Sequence, residues 1–386
     1  MMGHKASPLN KKFWTPGVFV LLVFMIAGAI SIIARFTGGI GYVTNLTNAR
    51  PWGLWVGVDV ATGVALAAGG FTTAALAHLL GRHNYEPITR PALLTAVLGY
   101  TFVVLGLLVD IGRSWAIWKP MFYWNTNSVL FEVAMCVMVY LHVLYIEFIP
   151  VVAEQFKDRV NLPGPLSGLN GFIEMILKAA DAILDKVMWI FIILGIVLSC
   201  MHQSSLGSLM LVAPTKLHPL WYTPILPLLF LTSAFAVGYP MVVFETTIAT
   251  SSFKLDSEMN ILAPLTRITI FLLGIYMFLK LGDMFVRGTY TYLLDGTYQT
   301  NSFIFEKIRN SRRGVFTAAS LIIGGVVINR INVFIVGYKP PLSDTGYFPA
   351  IGEILVTFGL IATLMFIYRF IVTYLPVLQA SKEVSS

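Results

Sequence analysis

Residues 188–200 read MWIFIILGIVLSC, and apolar runs of this kind recur along the whole chain. The long runs reach about 20 residues or more, the length a helix needs at about 1.5 Å per residue to cross a hydrocarbon layer of about 30 Å. A backbone in hydrocarbon must satisfy its own N–H and C=O groups, so the options are helices or a closed barrel. Barrel strands alternate apolar and polar residues, and that alternation is absent here. The expected fold is therefore an all-α polytopic membrane protein. Composition agrees: of 386 residues, 57% are hydrophobic and 12% charged, against about 25% charged in soluble domains.

Nine spans are expected near 16–36, 52–80, 91–112, 127–149, 183–202, 222–247, 262–285, 314–336 and 350–376. The first run, TPGVFVLLVFMIAGAISII, lacks a small-residue cleavage pattern and is expected to be a retained helix. The longest linker, 151–182, is charged and broken by Pro163, Gly164 and Pro165; an amphipathic surface helix is expected within it.

Orientation follows from Lys and Arg. Lys5, Lys11 and Lys12 precede the first span, and Lys157, Arg159, Lys178 and Lys186 gather around the linker after the fourth. Arg82, Arg90, Lys254 and Arg267 fall on the same side, while Arg35, Arg50, Arg113 and Lys119 are assigned to outward loops. The expected amino terminus is cytoplasmic. The basic cluster KIRNSRRG (307–314) breaks the rule, because counting nine spans puts it outside. An internal echo points to the remedy: TNSVLFE at 126–132 recurs as TNSFIFE at 300–306, 174 residues later, with Asp110 and Asp283 at nearly the same offset. A repeat four helices long preserves orientation. The expected architecture is a single membrane domain: a flanking helix in 1–50, two related four-helix bundles in 51–215 and 216–340, and a C-terminal flanking helix in 341–386. A tenth span is truncated or missing near 289–306.

On these assignments the polar residues of four successive helices collect at the outer side. Asp59 lies two turns into span 2, Asp110 and Arg113 close span 3, Glu132 opens span 4, and MHQSS (201–205), with His202 and Gln203, closes span 5. Carboxylates inside lipid are costly and usually face a bundle interior, where they bind something or move protons. Plainer readings stand beside this one. Asp110 with Arg113 is equally a structural ion pair, and His202 a donor to a carbonyl. Glu147 and Glu245, toward the cytoplasmic ends of spans 4 and 6, extend a proton route or are solvated carboxylates.

Other chemistry is poorly served. Two cysteines, Cys136 and Cys200, are too few for an iron-sulfur cluster on this chain alone, and His78 and His142 lie at the opposite end from His202 and His218, so no facing pair for a haem is expected. Metal-ligand spacing, nucleotide-binding and nucleophile-elbow motifs are absent, and the net charge of +7 is spread over loops, giving no sign of nucleic-acid binding.

The strings PWGLWVGVD (51–59), AAGGF (67–71), RPALL (90–94), DIGR (110–113), NSVLFE (127–132), MHQSSLGSLM (201–210) and HPLW (218–221) carry a resemblance. The chain resembles the NrfD/PsrC family of quinone-interacting membrane subunits, and within it the HybB branch of uptake hydrogenases and the HmcC-like subunits. The resemblance implies ten helices in two four-helix bundles with flanking helices. It implies electron exchange between a periplasmic ferredoxin-like iron-sulfur subunit and menaquinone, with no haem or cluster on this chain. Multihaem cytochrome c or hydrogenase subunits, other membrane subunits and a bacterial or archaeal inner membrane follow as its expected setting. Within that reading His202 and Gln203 bond a quinone carbonyl, Asp59 and Asp110 exchange protons, and Arg113 tunes their charge. Glu132, Glu147 and Glu245 lead inward. A secondary transporter and a membrane anchor without a quinone site are the alternatives.

Overall fold

The computed structural model describes residues 8–9, 11–156, 160, 170–212, 214–255, 259–294, 312–339 and 346–378. Nine helices among them are long and apolar enough to cross a membrane. They are α1 (Pro16–Gly38), α2 (Trp55–Leu79), α3 (Glu86–Asp110), α4 (Val129–Phe156), α5 (Asn170–Ser208), α6 (Leu226–Phe253), α7 (Met259–Val286), α8 (Arg312–Ile331, continued as a π-helical turn to Val336) and α9 (Ile351–Tyr374). The chain is a multi-pass, all-helical membrane protein.

Two boundaries differ from expectation for local reasons. α3 begins at Glu86 rather than near 91, because Pro87 occupies its first turn, where a missing N–H costs nothing, and Pro91 lies inside the helix. No separate surface helix forms in the described part of the 151–182 linker. Instead α5 runs unbroken for 39 residues, roughly 58 Å, far longer than the hydrocarbon is thick. After Gly171 the sequence FIEMILKAADAILDK offers no Gly or Pro to end the ladder, and Lys178 pairs with Glu174 one turn back at 2.7 Å. The linker residues 157–159 and 161–169 lie outside the described residues.

The helix directions can be read from end contacts. α9 is antiparallel to α1: Phe13 packs on Phe366 and Phe370, while Asn45 at the other end donates to Phe348 O. α6 ends where the chain enters α1, with Lys11 Nζ donating to Phe253 O. α7 therefore starts on this amino-terminal face. Leu262 and Leu265 near its start share a cluster with Val315 and Ala319 near the start of α8. Both helices end at the 217–223 connection, through Lys280 to Leu220 O, Arg287 to Pro219 O and the Leu217–Tyr338 bridge. α7 and α8 thus run the same way, and the basic start of α8 lies on the face that carries Lys11 and Lys12. The tenth crossing expected near 289–306 falls mostly outside the described residues; 289–294 form a short 3-10 turn.

α2, α3 and α6 form the buried centre, whereas α1 and α7 expose most of their surface. α2 meets α3, α5, α6, α8 and α9, and the glycines of AAGGF allow that crowding. A Cβ on Gly70 would fall 2.5 Å from Ala96 Cβ of α3, and one on Gly69 would fall 3.0 Å from Val242 of α6. Gly274, in α7, has open space. Gly70→Val is expected to lower the thermal stability of the detergent-solubilised protein by about 1–3 kcal/mol through overpacking, with Gly274→Ala neutral or slightly stabilising. Equal melting temperatures for the two variants would refute this packing.

Candidate functional site

The site begins with an irregularity in α2. Trp55–Thr62 is π-helical, and Thr62 Oγ1 donates to Gly57 O, five residues back, at 2.8 Å. π turns widen a helix and re-aim its side chains. Asp59 sits within this turn, where Thr357 Oγ1 of α9 donates to its Oδ2 at 2.8 Å. Gly106 of α3 leaves the room, since a Cβ there would lie 3.1 Å from that of Asp59.

Asp59 is electrostatically coupled to Asp110 at the end of α3, and Asp110 to both Glu353 and Arg35. Arg35 is not a loop residue. It lies in the last turns of α1, 5% exposed, with Nε on Val109 O and Nη2 on Ile111 O, both at 2.6 Å. It thereby caps the carbonyl end of α3, where a cation also complements the helix dipole. Glu353 is fully buried in the first turn of α9; it accepts from Tyr347 OH at 2.7 Å and from Ala350 N at 2.6 Å. Tyr347 in turn accepts from Leu54 N, and Trp55 Nε1 donates to Glu353 O. Three carboxyl groups, from α2, α3 and α9, thus lie in one electrostatic network, and Asp110 links it to the Arg35 guanidinium of α1.

His202 and Gln203 belong to a second cluster, enclosed by α2–α5 and without exposure. His202 Nδ1 lies 2.7 Å from Leu198 O, which can only accept, so Nδ1 carries the proton. In the neutral ring Nε2 then accepts from Tyr100 OH. Tyr140 stands edge-on to Tyr100, with centroids 4.7 Å apart, and leans on His202 at 5.5 Å. Gln203 Nε2 donates to Val64 O at 2.8 Å, while its Oε1, beside Tyr100, makes no hydrogen bond of normal geometry among the described residues. Glu132, largely exposed, accepts from Ser205 Oγ at 2.6 Å and ties α4 to α5.

Two cavities of about 630 Å³ each flank these clusters. The first is mostly apolar and runs from Asp59 and Thr62 past Glu245 and Tyr368 to Arg369. Along α9 it extends from Leu360 to Arg369, roughly 13 Å. Glu245 is 8% exposed, with the Thr95 hydroxyl as its polar neighbour, and among the described residues neither of its oxygens nor the Tyr368 hydroxyl makes a hydrogen bond of normal geometry. A buried carboxyl group without partners is costly unless a proton, water or ligand meets it. The second cavity lies toward the amino-terminal face between α2, α3, α4 and α5, with Glu147 and His78 in its lining and the Arg90–Glu154 ion pair, at 2.7 Å, beside them.

The structure therefore divides the residues singled out from the sequence. Asp59 and Asp110 come together, but His202 and Gln203 lie on the other side of α2. Arg113 is exposed, and the guanidinium that acts on Asp110 is that of Arg35. Glu147 and Glu245 line separate cavities. Arg35, Glu353, Tyr347, Thr357, Tyr100 and Tyr140 were missed. Arg35 and Glu353 had a signal, a charge inside or at the edge of a long apolar run; the tyrosines had none. Among the described residues no group of three or more His, Cys, Asp or Glu is placed to hold a metal ion.

The family model described as polysulphide reductase, NrfD, matches residues 42–341. A protein of Nitratidesulfovibrio vulgaris (strain Hildenborough) is 36% identical over 96% of this chain and 96% of its own length. The probable Ni/Fe-hydrogenase 2 b-type cytochrome subunit of Escherichia coli K12 is 31% identical over 99% of this chain and 97% of its own. The integral membrane subunit of the menaquinone reductase of the same Nitratidesulfovibrio strain is 29% identical over 54% of this chain and 45% of its own. With a family match over most of its length and a relative above 30% identity end to end, this multi-pass membrane protein belongs to the polysulphide reductase NrfD family.

Proposed function

We propose that the chain is the quinone-reactive membrane subunit of a respiratory electron-transfer complex, exchanging electrons between an iron-sulfur partner and menaquinone. The observation that carries this reading is the junction at Asp59, where an apolar cavity large enough for a quinone ring meets a network of three carboxyl groups and a guanidinium. Reduction of a quinone takes up two electrons and two protons, so its ring oxygens need a titratable neighbour. The names of two relatives, a menaquinone reductase subunit and a hydrogenase subunit, support the same class of reaction.

In this mechanism Asp59 and Thr62 face the ring at one end of the cavity. Asp59 gives or takes a proton there, and Asp110 and Glu353 hold and pass it toward the face opposite the amino terminus. Arg35 offsets part of their charge and keeps the end of α3 in place. His202 and Gln203, being enclosed, act from inside the bundle rather than at a ring carbonyl. Glu147, Tyr140, Tyr100 and His202 succeed one another from the second cavity inward, since Glu147 and Tyr140 both lie against Gly195, Tyr140 packs edge-on to Tyr100 and Tyr100 bonds His202, and they form the inward proton route. Glu245 serves the other end of the first cavity, and Glu132 holds α4 to α5.

The partners follow from the same reading: a ferredoxin-like iron-sulfur subunit on the face of Asp110, fed by a multihaem cytochrome c or a hydrogenase. The connection between α3 and α4 lies on that face and exposes Trp115, Phe122, Tyr123 and Trp124, amphipathic and apolar rings suited to docking or to the membrane interface. The complex belongs in the inner membrane, with the amino terminus cytoplasmic.

Asp59→Asn is expected to lower quinone turnover by the assembled complex by about 100-fold or more, the usual worth of a positioned acid or base, whereas Arg113→Gln stays within about twofold. Unchanged turnover for the Asp59 variant would remove it from the mechanism. For the inward route, Glu147→Gln and Tyr100→Phe are expected to retain quinone turnover in detergent but to lose charge movement across proteoliposomes. Charge movement equal to wild type would reject that route. A chain that purifies from its native membrane alone, without quinone, and transports solute would replace the whole reading with a secondary transporter.

A further inference from the structure

The end of the first cavity remote from Asp59 has features that quinone chemistry does not use. Its mouth is framed by the start of α1, the end of α6 and the end of α9, through Thr15, Gly17, Ser252 and Arg369. Three cations meet there. Arg369 donates through Nε to Phe13 O and through Nη2 to Lys12 O, both at 3.0 Å, and through Nη1 to Ser252 Oγ at 3.2 Å. Lys11 bonds Phe253 O, and the Lys12 side chain is exposed and makes no hydrogen bond among the described residues. None of the three is paired with a carboxylate among the described residues.

The start of α1 adds to this. Its N-cap, Thr15, makes no side-chain capping bond, its first turn carries no acidic residue, and Pro16 leads directly into hydrocarbon-facing sequence. Pro16 has no N–H, and Val18 N and Phe19 N both turn back to Thr15 O, so the start of this 23-residue helix offers the positive end of its dipole rather than a row of free N–H groups. Beyond the mouth the wall is apolar, with Leu21, Ile248 and Leu364. Positive charge at a helix start, above an apolar slot at membrane depth, is complementary to one chemical form: a phosphate on an acyl chain.

We propose that an anionic phospholipid of the leaflet at the amino-terminal face occupies this mouth. Its phosphate lies between the start of α1, Lys11, Lys12 and Arg369, and one acyl chain enters the cavity end lined by Leu21, Ile248 and Leu364. The lipid ties the flanking helices α1 and α9 to α6, and it closes the end of the cavity away from Asp59. The site does not depend on the quinone reading, because none of these residues is assigned to quinone or proton chemistry.

The test is thermal unfolding of the full-length protein, delipidated in detergent with whatever partners copurify, titrated with dioleoylphosphatidylglycerol, dioleoylphosphatidylcholine or inorganic phosphate. Phosphatidylglycerol is expected to raise the melting temperature saturably, and Lys11→Gln/Lys12→Gln to need on the order of tenfold more of it. Lys119→Gln, in the connection between α3 and α4 on the opposite face, should titrate as wild type. If the double variant does not purify, Lys12→Gln alone carries the test, since its side chain makes no internal bond. An equal response to phosphatidylcholine would mean a slot filled without regard to charge, and an equal response to inorganic phosphate a free-anion site. Either result, or a lysine variant that titrates as wild type, overturns the proposal.

Discussion

A helix in hydrocarbon has no water to satisfy a backbone group that its own ladder leaves free, and the central helix of this protein breaks its ladder repeatedly. α2 passes through a π-helical turn at Trp55–Thr62, an interruption at Ala67–Ala68 and a second π-helical turn at Ala75–Leu79. Its neighbours supply what the ladder does not. Near the interruption, Ala68 N turns to Ala65 O and Gln203 Nε2 of α5 reaches Val64 O. At the start of the helix, Tyr347 OH accepts from Leu54 N and Glu353 O accepts from Trp55 Nε1. The helix that carries Asp59 is thus held by α5 on one side and α9 on the other, and both polar clusters grow from those supports.

The same constraint explains why the charged residues are arranged as they are. A carboxyl group at membrane depth is tolerated where hydrogen bonds and an opposite charge meet it. Asp59 has Thr357, Glu353 has Tyr347 and the Ala350 amide, and Asp110 has Arg35 nearby. Arg35 does two things at once, since it ends α3 by binding the carbonyls of Val109 and Ile111 while holding its charge beside Asp110. Glu245 is the contrast: buried, facing a cavity, with the Thr95 hydroxyl nearby but, among the described residues, no charged partner and no hydrogen bond of normal geometry.

Much of the plan is legible in the sequence because it depends on local chemistry. Run length gives nine spans, and the nine helices agree. The TNS echo and the misplaced KIRNSRRG cluster lead to the expectation of a tenth span, truncated or missing, before α8, and 295–311 lie outside the described residues. The contacts show α7 and α8 running the same way, with α8 starting on the amino-terminal face, where the charge rule places the basic cluster. The paired glycines of AAGGF signal close packing, and Gly69 and Gly70 do face α6 and α3.

The partners within the site are not legible in this way. Arg113 lies three residues from Asp110 in the sequence, yet α3 ends at Asp110, so the two do not share a helix face and Arg113 turns outward. The cation that meets Asp110 comes from α1, 75 residues earlier, and the second carboxylate from α9. His202 and Asp59 share a depth by helix counting, but opposite sides of α2 separate them, and that depends on helix rotation shifted by a π turn. The sequence by itself determined the helical membrane fold, its nine long apolar helices and which spans carry ionisable residues, because hydrophobic length and charge cost act on each segment alone. Only the tertiary structure decided that Asp110 meets Arg35, which carboxyl groups face the cavity and that His202 is enclosed, because those pairings are set by the rotation and register of helices distant in the chain.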